Sequence, residues 1–97
     1  MLESFTFETF RPLIGSTFVL ESGGQRIEVD LREVDVLGSN QDKAGRTPFS
    51  LLFLGPKDLG WPQQIYRMAH PSIGTFDLFL VPLGPAGEGM RYEAVFT

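Results

Sequence analysis

Arg26-Ile27-Glu28-Val29-Asp30-Leu31-Arg32-Glu33-Val34-Asp35-Val36 decides the fold class. Ile27, Val29 and Leu31 alternate with Arg26, Glu28, Asp30 and Arg32. A period of two sets one apolar face against a core and one charged face in water, which is a half-buried β-strand. At Glu33 the phase slips: Glu33 takes a place due to an inward residue, and Val34 and Val36 continue in the other register. Such a slip marks a β-bulge. Upstream, Ser22-Gly23-Gly24-Gln25 offers the positive-φ positions of a tight hairpin turn, and Thr17 to Glu21 forms the strand it joins.

The same logic extends in both directions. Phe5 and Phe7 alternate with Ser4, Thr6 and Glu8, which reads as a short strand. Thr9 as a cap, Pro12 in a first turn and Gly15 as a terminator predict one short helix over Phe10 to Ile14, with Phe10, Leu13 and Ile14 plugging an end of the core. Gly38 to Thr47 is the one long polar loop and the expected site of greatest mobility. Phe49-Ser50-Leu51-Leu52-Phe53-Leu54 is apolar on both faces, so it is a central strand covered on both sides or one at a subunit contact. Gly55 to Asp58 closes it as a turn. Strands follow at Gln64 to Ala69, Thr75 to Pro82 and Met90 to Phe96, separated by a compact loop, His70 to Gly74, and a Gly/Pro-rich turn, Gly84 to Gly89. About seven strands, turns every eight to twelve residues and one short N-terminal helix predict a mostly β domain, a small antiparallel barrel or sandwich.

The chain has 97 residues, 42% of them hydrophobic and 21% charged. That is a single domain spanning residues 1–97, with a core that buries roughly two-thirds of the unfolded surface. Nine Phe against one Trp and two Tyr make the aromatic content mainly core filling. The net charge of −4 is scattered, which does not suit nucleic-acid binding. Cysteine is absent, so disulfides, thiolate nucleophiles and thiolate metal sites are excluded. The N-terminus has no basic region followed by an apolar run, and the apolar stretch Phe76 to Leu83 is interrupted by Asp77 and Pro82. These features predict no membrane insertion. They also predict a cytoplasmic protein, or part of an assembly exported without a cleaved signal peptide.

The residues that carry chemistry are sparse. His70 is the single histidine, with Ser72 and Asp77 near it in sequence, and reads as a turn residue whose ring makes a local hydrogen bond rather than as a catalytic base. Glu28, Asp30, Glu33 and Asp35 crowd one strand, but Arg26 and Arg32 among them indicate a solvated face with cross-strand ion pairs, not a cation site. Gly84, Gly87 and Gly89 lack the following helix and Lys-Ser/Thr pair of a phosphate cradle. Trp61, in Asp58-Leu59-Gly60-Trp61-Pro62, serves equally as a contact anchor or as a lid over an open end of the core. No catalytic, cofactor-binding or metal residue is expected, no cofactor, and no enzymatic activity.

Leu2-Glu3-Ser4-Phe5-Thr6-Phe7-Glu8-Thr9-Phe10-Arg11-Pro12-Leu13-Ile14-Gly15, Pro48 to Pro56, Ile65 to Pro71, Leu78 to Pro82 and Arg91 to Phe96 together resemble a family of small bacterial domains of unknown function, DUF6916. The resemblance spans nearly the whole chain and rests on core and turn residues. It implies a β fold and, through neighbours resembling phage-tail-collar-like proteins, a part of a tail-like or fibre-like assembly. It assigns no catalytic residue.

The expected function is therefore a structural or protein-interaction module with a protein partner or a second copy of itself. Trp61, Phe49, Leu52 and Leu54 are the candidate contact residues, and the terminal strands offer sheet edges. The alternative is a small-molecule-binding β-barrel lined by Phe side chains and Trp61.

Overall fold

The computed structural model describes residues 5–37, 47–56, 61–87 and 89–96. A short helix, α1 (Phe7–Phe10), runs into a 3₁₀ turn (Arg11–Leu13). Six strands follow: β1 (Thr17–Ser22), β2 (Gln25–Val36), β3 (Phe49–Gly55), β4 (Gln64–His70), β5 (Gly74–Ala86) and β6 (Gly89–Phe96). All pairings are antiparallel, and the order β1-β2-β3-β6-β5-β4 closes on itself as a barrel when β4 pairs with β1.

The alternation in β2 sets the inside and outside of the wall. Val29 and Leu31 are buried, and Glu28 and Arg26 face water. The phase slip is a real irregularity: the register of β2 on β3 shifts between Leu31 and Glu33, so Arg32 is the extra residue. A second shift lies between Pro82 and Gly84 of β5, where the missing N–H of Pro82 is tolerated beside a bulge. The hairpin between β1 and β2 turns on Gly23 and Gly24, both at positive φ.

Inward residues from every strand fill the barrel: Phe18 and Leu20, Val29 and Leu31, Leu51 and Phe53, Tyr66 and Met68, Leu78 and Leu80, Tyr92 and Ala94. Even an eight-stranded barrel has an interior only about wide enough for its side chains, and six strands enclose less. One end is plugged by Phe10, fully buried, whose ring lies 5.5 Å from Phe96, 6.0 Å from Phe49, 6.2 Å from Phe76 and 6.4 Å from Phe18.

Four expectations are corrected. Phe5 to Glu8 is not a strand: Thr6 precedes a helix, and its N–H donates to Thr9 Oγ1 at 3.1 Å. The helix starts at Phe7 rather than Phe10, the Pro12 segment is 3₁₀, and Ile14 is 45% exposed instead of plugging the core. The terminal strands offer no edge, because β1 pairs with β2 and β4, and β6 with β3 and β5. Residues 84–86, expected as turn, continue β5. The polar loop from Gly38 and the turn after Pro56 fall on residues 38–46 and 57–60, outside the described residues.

Candidate functional site

His70 ends β4 and is 7% exposed, with its ring centroid 4.5 Å from that of Phe18. The Ser72 N–H donates to its Nδ1 at 3.0 Å, the local bond expected of a turn histidine. That bond fixes the tautomer. With Nδ1 accepting, the ring proton sits on Nε2 and donates to Ser16 Oγ, 3.0 Å away. Ser16 in turn donates its hydroxyl proton to the Leu13 carbonyl. The polarity of this chain is opposite to that of a serine nucleophile and its base, where Nε2 must accept from the hydroxyl. Asp77 is engaged elsewhere, 3.6 Å from Arg67. The arrangement ties the 3₁₀ turn to β4 rather than activating Ser16. Ser16 was not legible from the sequence, since the pair is 54 residues apart.

The opposite end of the barrel carries the other polar groups. β3 and β4 are three strands apart in either direction around the ring, and residues 61–63 lead into β4 at this end. Trp61 precedes β4 and is half-buried against the core, stacked on Tyr66 at 5.4 Å with rings 15° from parallel. The Tyr66 hydroxyl donates to the Pro62 carbonyl. Trp61 therefore covers the barrel end. The Tyr92 hydroxyl is buried beside the Trp61 backbone, too poorly aligned with it or with any other described residue for a full hydrogen bond. Burial pushes both phenols above their ordinary value of 10.0; for Tyr92 the neighbouring Tyr66 adds to the effect and the Trp61 backbone opposes it.

The remaining expected contact residues divide by strand parity. Phe49 points inward and is 2% exposed, stacked on Phe96 at 4.5 Å, so it belongs to the core and not to a surface. Leu52 and Leu54 point outward and are half-buried. The most exposed apolar pair lies elsewhere: Ile65 of β4 and Phe79 of β5 are register partners on the outer wall, 65% and 48% exposed. Both were visible in the sequence as residues in the outward phase of their strands. Arg67 and Asp77 form the next outward pair.

The acidic strand face behaves as a solvated one. Glu21 and Arg26 are cross-strand partners with a 3.6 Å ion pair, and Asp30 accepts from Thr17 Oγ1 at 2.9 Å. Among the described residues no group of three or more His, Asp or Glu side chains is placed to hold a metal ion. No helix among them is long and apolar enough to cross a membrane.

A family model for a domain of unknown function, DUF6916, matches residues 5–96. The chain belongs to the DUF6916 family. Comparison with curated proteins finds no match, and neither does comparison with solved structures. The DUF6916 match takes in the helical plug, all six strands and the Trp61 connection, so the barrel and both of its closures form one family unit. Within this DUF6916 domain, Arg11 to Gly15 carries the plug into β1, Ile65 to Pro71 runs from the exposed apolar pair to the buried histidine, and Arg91 to Phe96 seals β3 against β5.

Proposed function

We propose that this DUF6916 domain is a structural, protein-interaction module that docks through the outer face of the β4–β5 pair. The observation that carries the reading is the exposed Ile65–Phe79 pair on the outer face of β4 and β5. The terminal strands β1 and β6 are each paired on both sides, so the reading rests on a contact made by side chains rather than on strand addition there. Contiguous exposed apolar surface, rather than apolar residues scattered singly, marks such contacts. A contact role outside the barrel also suits a six-stranded wall whose interior is taken up by its own side chains. A part in a tail-like or fibre-like assembly is the setting we propose for this contact.

Photo-crosslinking in cells that make the protein tests the reading. A photoreactive residue replacing Ile65 or Phe79 is expected to give a discrete crosslinked product, and one replacing Glu28, on a charged outer face, is not. Equal yields at all three positions, or no product at any, would overturn it.

A further inference from the structure

The outer β4–β5 face has a property beyond being apolar: its two strands carry complementary residues in matched rows. Ile65 is the register partner of Phe79, Arg67 of Asp77, and Ala69 of Thr75. Consider a second copy laid face to face, related by a two-fold axis parallel to the strands and passing between β4 and β5. That operation places each β4 over the other copy's β5. Every residue then meets the cross-strand counterpart of its own neighbour: Ile65 meets Phe79, and Arg67 meets Asp77. The patch is thus self-complementary in chemistry, apolar against apolar and cation against anion, and an isologous interface requires such self-complementarity.

Resting on the docking face argued above, we infer that the occupant of this face is a second copy of the chain, packed as a two-fold β4–β5 to β4–β5 contact. Arg67 and Asp77 are each 61% exposed and sit 3.6 Å apart within the chain. On dimerisation they become an alternating square of four charges beside the apolar row. The small residues of the next row, Ala69 and Thr75, leave no bulk to hold the faces apart. Two strands of a convex wall give a contact smaller than the roughly 1,200 Å² of a tight complex, so the dimer is a weak one, with association in the range of about tens of micromolar or weaker. Multiple copies held in one assembly would strengthen it by raising the effective concentration.

Sedimentation equilibrium on the full chain tests this. The wild type is expected to show a concentration-dependent monomer–dimer equilibrium. Arg67→Asp makes every charge on the patch negative and Asp77→Arg makes every charge positive, so each variant alone is expected to associate at least about tenfold more weakly. An equimolar mixture of the two is expected to recover the dimer, as a heterodimer, and to lose it again when both carry Phe79→Ser. Both charged side chains are exposed, so the variants keep the fold. A wild type that stays monomeric at the highest concentration, variants that associate as the wild type does, or a mixture no better than its components would overturn self-association. The mass of the crosslinked product separates the two readings. A product of twice the chain mass supports the dimer. A product of any other mass overturns the dimer and leaves the docking face standing, and no product at 65 or 79 overturns both.

Discussion

Tyr66 and Tyr92 are the only tyrosines of the chain, and both are buried at the end of the barrel covered by Trp61. Their raised ionisation has a direct consequence for stability. A phenol that ionises above its unfolded value holds its proton more tightly in the folded state. Its contribution is full below pH 10.0 and is lost as the pH rises through the folded value. Absorbance at 295 nm is therefore expected to show both tyrosines titrating above pH 10.0, with the unfolding midpoint falling over the same interval. Two tyrosines titrating at or below the ordinary value would contradict their burial. At this scale the sequence was partly legible. The turn position of His70 announced its bond to Ser72, but not its bond to Ser16, which exists only because closure brings the start of β1 beside the end of β4. Phe49 reads as a candidate contact residue because a strand apolar on both faces does not say which face is inner; the burial of its neighbours Leu51 and Phe53 gives the parity and sets Phe49 in the core.

Individual elements depend on a few close approaches. Gly89 begins β6, and a Cβ there would lie 2.4 Å from the Gly55 carbonyl oxygen and 2.9 Å from the Leu54 side chain. The β3 backbone has to move to admit it. Gly89→Ala is expected to destabilise the domain by about 1–3 kcal/mol in urea unfolding, as overpacking does. For a domain whose total stability is roughly 5–15 kcal/mol, that is a visible shift of the midpoint. A neutral result would mean that the β3–β6 pair yields at this end. The N-terminal element shows how local patterns compete. Phe5-Thr6-Phe7-Glu8 alternates and reads as a strand, yet Thr6 and Thr9 stand three apart and Phe7 and Phe10 share a helical spacing. The helix prevails because Phe10 finds four rings to pack against at the barrel end, a gain that no local pattern reveals. The bulge in β2 was legible because it leaves its own mark on the alternation.

For the molecule as a whole, the strands were legible but their closure was not, because strand order depends on pairing between distant segments. The ring is not uniformly strong. β4 pairs with β5 over seven register positions but with β1 over only three, Val19–Ala69, Leu20–Met68 and Glu21–Arg67. Side chains lace this seam at both ends, Gln64 Nε2 donating to Ser22 Oγ at 2.9 Å and His70 bonded to Ser16. Native-state hydrogen exchange is expected to show the amides bridging β1 and β4 opening at lower free energy than those between β4 and β5. Equal protection across both would mean that the lacing makes up for the short ladder. The pairing of β3 with β6, Phe49 against Phe96 at one end and Gly55 against Met90 at the other, has a further consequence in time rather than in space. On the ribosome, β3 emerges dozens of residues before its second neighbour. Until Phe96 clears the exit tunnel, the most apolar strand of the wall has an unpaired side, and the ring has no means of closing. Folding of the barrel is therefore gated by the last of its six strands, and the nascent chain passes through an interval in which it is most prone to join its neighbours incorrectly.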